Sequence, residues 1–482
     1  MNLLESESPW IPVQTQGTFQ HITLETLLCS EGDYQLALAR DDMEAAALQL
    51  LVALTQTLFM PADQQALRTH ADQPLTTEAY RATTKQKCDW FQLDHPETPF
   101  MQSRGVKAKK PTPIQKLFIG LPEGNNHAFF NRPGEIHQTC PSCTVIALFN
   151  QASNCPSFGG GFKANLRGSA PVTTFAAGNS LRETIWLNVL TKENVEALLP
   201  DGSNDLPNWV SPIQAKQKIP AHSIGLLRGL FWQPARVELL GNEHTEGRCD
   251  ACHNISEQLY TSFNKEKFVY DIVGLWPHPH SPRVWDLKRD VRDRERFVSY
   301  TTNAPAWSQL NHYLMIQQTS IPAPVISQFQ DIFQGNRKLN LLTSGYRNKQ
   351  ASVLLRRHEL FSIKQDWVNI SSGLENAIHM ALEIRRLLRS KLYGFTKTVG
   401  AQVYDGAEQR FDKQSEPMIH GLLRDIARKE RREVLNDFRQ KILSLARNLF
   451  DQATQPYRHT PAGLRQYTKS KNSFEAEIAK LN

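Results

Sequence analysis

Four of the seven cysteines fall in two Cys-x-x-Cys pairs, Cys140-Pro-Ser-Cys143 and Cys249-Asp-Ala-Cys252. Two such knuckles present four thiolates, the donor set of a tetrahedral zinc site, although the 105 residues between Cys143 and Cys249 exceed the gap of an ordinary zinc ribbon. Four sulfurs leave no position for water, so the ion would staple two distant loops and would not catalyse. A redox pair or free thiols are the other readings of the spacing. His253 is a further donor that the tetrahedron does not need.

A second stretch, Ser157-Phe-Gly-Gly-Gly-Phe-Lys163, sets Gly159, Gly160 and Gly161 between two phenylalanines. Gly159-x-Gly161-x-x-Ala164 formally fits the dinucleotide fingerprint, but the fingerprint needs a strand entering the glycines and a helix leaving them. Here NQASNCPS precedes and Gly168 follows. The run instead reads as a tight packing turn or as backbone left bare for a close approach. Trp276-Pro-His-Pro-His280 offers two imidazoles, but its prolines hold it extended and no carboxylate cluster adjoins it. A turn with packed histidines is the simpler reading. No GxxxxGK[ST], HExxH or GxSxG motif occurs. Nothing assembles a nucleophile, a base and an oxyanion donor, which favours a binding protein over an enzyme.

The elements that must position these residues belong to a chain of 482 residues, long enough for two or three packed units. With 40% hydrophobic and 21% charged residues it has the composition of a soluble globular protein. Arg40–Phe59 reads as a buried helix, with Asp41 or Asp42 at its N-cap and apolar residues at 43, 47, 50, 51, 54 and 58. Phe268–Trp276 and Arg283–Trp285 read as strands. Leu199–Pro212 and Arg104–Pro113 are long polar connectors of the kind that often bind ligands. After about Ser372 come four amphipathic segments, Leu374–Leu392, Glu416–Glu430, Arg432–Gln452 and Gly463–Leu481, for which a helical bundle is the simplest packing. The expected fold class is α+β: an irregular mixed domain over 1–372 with a zinc-stapled loop region, then a C-terminal four-helix bundle over 373–482.

Residues 373–482 hold 20 Lys and Arg against 13 Asp and Glu, which accounts for the whole net charge of +7. Such a surface suits a polyanionic partner, or is simply a set of solvated helix faces. MNLLESESPW lacks the basic and apolar runs of a secretory leader, and Glu44–Phe59 is broken by Gln49 and Gln56. It falls short of the ~20 residues that span a bilayer. No membrane role and a cytoplasmic location are expected.

Read in order, RDDMEAAALQLL, FMQSRGVKA (Phe100–Ala108), TVIALFNQA (Thr144–Ala152), FGGGFK (Phe158–Lys163), LRGLFWQPA (Leu227–Ala235), KEKF (Lys265–Phe268), GLWPHPHSP (Gly274–Pro282) and GYRNKQAS (Gly345–Ser352) run the full length of the chain. Together they resemble the large subunit, CasA, of the type I-E CRISPR surveillance complex Cascade. The resemblance implies a non-enzymatic subunit that works with the other Cascade subunits and a guide crRNA. It would recognise the protospacer-adjacent motif in double-stranded DNA through the minor groove and start opening the duplex into an R-loop. By the same resemblance the glycine loop enters the minor groove with Gly160 at its middle, and Lys267 is the minor-groove lysine finger, with Lys265 free to take a phosphate. Gln350 is the wedge that displaces the first target pair. Lys349 stands where the family commonly has asparagine, which puts the contribution of that position in doubt. Phe129, or its neighbour Phe130, stacks near the guide RNA. Arg347, Arg356 and Arg357 hold phosphates or pair with acids of the fold. Arg465, Lys469 and Lys471 face the displaced strand and help recruit a helicase-nuclease. The competing readings are a metal-dependent nuclease using His278 and His280 and a zinc-stapled scaffold.

Overall fold

A computed structural model describes every residue outside 122–133, 243–245, 289, 291–293, 301–303, 350–351, 365–370, 401, 427–429 and 482. The chain forms two compact units. One comprises Met1–Thr302, Ile316–Ile332 and Leu342–Glu359; the other comprises Asn303–Met315, Phe333–Leu341 and Leu360–Asn482.

The first unit is built on helix α1 (Asp41–Leu58), whose apolar positions Met43, Ala47, Leu50, Leu51, Leu54 and Leu58 are all buried. It packs on α2 (Pro141–Ser153), which is buried over all but its first residue. Apolar faces all round make these interior helices. Neither aspartate caps α1: Arg40 is the N-cap and makes no side-chain cap bond. The reason is that Asp42 turns inward, where it is 5% exposed. There its carboxylate accepts from Arg40 Nε at 2.9 Å and Nη2 at 2.7 Å, from the Tyr346 hydroxyl at 2.9 Å and from Arg356 Nη1 at 3.1 Å. A buried charge is tolerable only when paired in this way. Burial alone pushes the carboxyl upward, but the Arg40 guanidinium and its other partners hold it below the usual carboxylate range.

Two three-stranded sheets flank the helices. In one, β1 (Thr112–Pro113) and β3 (Arg236–Asn242) pair antiparallel with the central β4 (Leu259–Glu266), which is bulged between Tyr260 and Ser262. In the other, the hairpin strands β5 (Leu339–Lys349) and β6 (Ser352–Ile363) lie beside β2 (Thr173–Ala177), with β5 central. Arg283–Trp285 is a strand as expected and pairs with Glu295–Phe297. Phe268–Trp276 is not one strand: only Asp271–Val273 is extended and paired, parallel to Lys218–Pro220. Gly274, at φ 94°, turns the chain away, and Val269 and Val273 face solvent. The connector Leu199–Pro212 is pinned by Trp209, which donates to Trp90 O and meets the rings of Phe91, Phe100 and Phe231 edge-on.

The second unit holds four long helices, α3 (Ser371–Val399), α4 (Tyr404–Asp425), α5 (Arg431–Thr454) and α6 (Pro461–Lys480). Helix α3 packs against each of the other three, and α4 also packs on α5. Ile378, Leu388, Phe395, Phe411, Ile419, Phe438, Phe450 and Phe474 fill the interior at the three-to-four-residue spacing read from the sequence. Helix α4 begins twelve residues before the expected Glu416 because it runs through Pro417. Glu-Pro resembles a helix start, yet a proline inside a helix sacrifices one hydrogen bond and is tolerated where the surrounding face is packed.

Replacing Asp42 by Asn leaves the Arg40 guanidinium without its paired carboxylate, leaves Arg356 with Asp41 alone, and is expected to cost about 3 kcal/mol. The folded carboxyl titrates below its unfolded value of about 3.9. Its contribution is therefore present above that pH and fades as pH falls through the folded value. Thermal unfolding of wild type and Asp42→Asn should differ most at neutral pH and converge in acid.

Candidate metal centre and nucleic-acid interface

Cys140 is the N-cap of α2 and Cys143 lies in its first turn. Cys249 and Cys252 sit on a knuckle between the paired segments Gly247–Arg248 and Ile255–Ser256. Cys249 N donates to Asn254 O and His253 N to Cys249 O, both at 2.8 Å, with His253 in the left-handed region at φ 64°. The knuckles are locked together by Asp250. Its carboxylate accepts from His137 N at 2.7 Å and Gln138 N at 3.0 Å, and its own N–H donates to Gln138 O at 3.0 Å. All four Sγ atoms lie within 4.8 Å of one another, with Cys140 and Cys252 3.7 Å apart. Tetrahedral bonds of ~2.3 Å place sulfurs about 3.8 Å apart, so the set fits a four-sulfur zinc site. Hydrogen bonds from Cys140 and Cys143 hold the Cys249 thiol well below the ordinary thiol range. His253 does not join the cluster.

The histidines of the WPHPH turn are buried structural groups. His278 Nδ1 accepts from His280 N at 3.0 Å, and His280 Nε2 meets Asn188 O at 3.1 Å. Burial lowers His278 far below the imidazole range and His280 to about 3, so both are neutral. Among the described residues the four cysteines are the one group that gathers three or more metal donors. Neither His278 nor His280 belongs to that group.

The glycine loop follows α2. Phe158 anchors it by packing against Phe162 and Phe263, and Phe162 N donates to Gly159 O at 3.2 Å. Gly159 at φ 131° and Gly161 at φ 83° occupy backbone that L residues rarely adopt. Gly160 differs from both: its φ is not positive, it is exposed, and a Cβ added there would meet no atom within 4 Å. The chain's own packing does not require glycine at 160.

Lys267 stands immediately past the end of β4, exposed, with its ammonium 3.2 Å from where a Gly161 Cβ would lie. Among the described residues that ammonium has no hydrogen-bond or ion-pair partner. Lys265 instead secures the loop, donating to Phe158 O at 3.3 Å and lying over the Phe162 ring at 5.7 Å. Lys163 joins the cluster, paired with Asp271 at 3.1 Å and lying over Tyr270. This third lysine was not singled out as a site residue, although the strand period of two does put Lys265 and Lys267 on one side.

The other sequence candidates are placed as follows. Phe129, Phe130 and Gln350 lie outside the described residues, as does the Lys349 side chain. Arg356 pairs with Asp41 and Asp42, and Arg357 lies 5.0 Å from the Tyr300 ring centre. In the second unit Arg465 is exposed and bonds only to Pro461 O, and Lys469 is exposed without a partner among the described residues. Lys471 is committed to Asp451 at 2.6 Å and to the Phe450 ring.

The fold is that of solved Cse1 proteins. The structure of Thermus thermophilus CasA (Cse1) superposes with a TM-score of 0.72 at 19% identity, covering 100% of both chains. Thermobifida fusca Cse1 gives 0.72 at 18%, covering 100% of this chain and 98% of that one. A chain of a CRISPR RNA-guided surveillance complex gives 0.71 at 16%, covering 98% and 99%. The family model of CRISPR-associated protein Cse1 matches residues 2–449, and the chain belongs to that family. The CasA/Cse1 protein of Thermus thermophilus is 25% identical over 251 residues, 48% of each chain. The match thus spans about half the length of that curated relative.

The different demands on the glycines are directly measurable. Gly161→Ala is expected to lose about 1–2 kcal/mol of stability because of its left-handed backbone, while Gly160→Ala stays within about 0.5 kcal/mol of wild type. Chemical denaturation of the three proteins checks both.

Proposed function

We propose that this chain is the non-catalytic large subunit of a type I-E Cascade complex, and that it recognises a short motif beside the target in double-stranded DNA. The observation that carries this reading is the exposed Gly160, where a Cβ would meet no atom within 4 Å, next to Gly161 and the Lys267 ammonium, which has no partner among the described residues. The minor groove is only ~6 Å wide and its floor carries acceptors, so bare backbone enters where side chains clash and a lysine can donate to that floor. A G·C pair projects its amino group into the same space, which makes the reading permissive among motifs and selective against that group.

In the sequence, Gln350 follows Lys349, the last residue of β5, and precedes β6. It would act as the wedge, replacing the stacking lost when the first target pair opens, at a few kcal/mol per step. Phe129 would stack near the guide RNA, at ~1–3 kcal/mol per base. Residues 1–372 read the motif. Residues 373–482 form a four-helix bundle in which Arg465 and Lys469 meet the displaced strand and help recruit a helicase-nuclease; Lys471 acts there only by giving up Asp451. Cys140, Cys143, Cys249 and Cys252 hold a structural zinc. Among the described residues no helix is long and apolar enough to cross a membrane, and we place the complex in the cytoplasm with its DNA.

Guide-RNA complexes assembled with and without the chain test this at fixed salt. A matched duplex with a scrambled motif should bind roughly ten- to a hundredfold more weakly than one with a permitted motif, and only when the chain is present. Gly160→Asp should abolish that difference without lowering thermal stability. Equal binding in all cases leaves a stapled scaffold. Separately, elemental analysis should find one zinc per chain, lost together with thermal stability in Cys249→Ala.

A further inference from the structure

Between the hairpin and the glycine loop runs a continuous chain of buried polar side chains. The Tyr346 hydroxyl donates to Asp42 at 2.9 Å and accepts from Asn150 Nδ2 at 2.9 Å. Asn154 Nδ2 donates to Asn150 Oδ1 at 3.0 Å, and Arg167 Nη2 donates to Asn154 Oδ1 at 2.5 Å. Arg167 N then donates to Asn165 Oδ1 at 2.8 Å, and Asn165 Nδ2 closes the base of the glycine loop on Cys155 O at 3.1 Å. Tyr346 lies on β5 close to the hairpin turn, and Asn165 follows Gly161 by four residues. Asn150 and Asn154 are one helical turn apart at the C-terminal end of α2, so they present one face.

Packing alone does not explain this choice of residues. All five side chains are buried, and apolar residues of similar volume fill such space at less cost. Among the described residues Arg167 also has no carboxylate partner. It spends its guanidinium on Thr173 Oγ1, Ser281 Oγ, Ser153 O and Asn154, and burial lowers it to about 9, which still leaves it charged at neutral pH. What directional bonds add over apolar contact is a single register, because a slip of one residue leaves buried donors unpaired.

We infer that Tyr346, Asn150, Asn154 and Arg167 are positioning residues that hold the hairpin and the glycine loop in one register, so that motif reading at Gly160 and strand separation by the hairpin act as one unit. This rests on the function proposed above. These four side chains contact no DNA themselves; they set where two DNA-facing segments stand relative to each other.

The test uses the assembled complex and a fluorescent base analogue beside the motif, which reports opening of the first target pairs. Tyr346→Phe removes one oxygen and keeps the ring. It should slow motif-dependent opening roughly tenfold, while a duplex already mismatched at those pairs binds within about twofold of wild type. Asn154→Ala, at the other end, should give the same pattern, and the double variant should be no worse than either single one, as members of one network are non-additive. Wild-type opening by Tyr346→Phe overturns the inference. So do additive losses, and so does a defect that the pre-opened duplex does not rescue and that follows thermal stability. If the wild-type complex opens DNA irrespective of motif, the functional reading itself fails, and that outcome is visible before any variant is made.

Discussion

One buried carboxylate organises the first unit. Asp42 heads the central helix, and its two oxygens engage Arg40 just before it and Tyr346 and Arg356 on the two strands of the hairpin. Arg40 extends the contact by donating to Ile119 O at 2.6 Å. The backbone at Ile119, the hairpin and the central helix are therefore all referred to a single charge. A nonpolar contact would tolerate sliding; a buried ion held by several donors does not, because each displaced donor forfeits its partner in a medium that offers no water.

The cysteine cluster does for two other elements what Asp42 does for the hairpin. Each Cys-x-x-Cys pair stands at or near the start of an element that ends at the candidate interface. From Cys140, α2 runs thirteen residues, about 20 Å at 1.5 Å per residue, toward the glycine loop. From the Cys249–Cys252 knuckle the chain enters β4, which ends beside Lys267. The four thiols gather the two starts, Thr139 pairs with Tyr260 between them, and Gly161 and Lys267 lie together at the far ends. The 105-residue gap, awkward for a ribbon, is what two long arms meeting at both ends require.

This also explains what could be read from the sequence and what could not. Periodic apolar spacing exposes long helices, so the central helix and the last four segments were legible, apart from the start hidden by Pro417. The cysteine set was legible because its spacing is local within each pair. Asp42 was misread as a cap because a helix-start aspartate looks the same whether it bonds the backbone or a tyrosine more than three hundred residues away. Phe268–Trp276 has a strand's composition, but Val269 and Val273 face solvent while Tyr270 and Trp276 are buried, and composition cannot show that only the middle of the stretch finds a partner strand. The Asn150–Asn154–Arg167 chain left no signal, since each member is an ordinary polar residue until the fold brings the set together.

The glycine triplet shows how structure sharpens a sequence signal. As letters the three residues are equivalent, and either a packing turn or a bare approach explains them. In the fold, Gly159 and Gly161 satisfy backbone conformations that a side chain would strain, so they account for the turn. Gly160 differs: its φ is not positive, and a Cβ added to it would meet no atom within 4 Å. Folding alone offers no advantage for glycine there, and glycine costs entropy relative to alanine. Folding thus leaves glycine at 160 unexplained, and the function proposed above supplies a reason for it, an approach to the loop from outside.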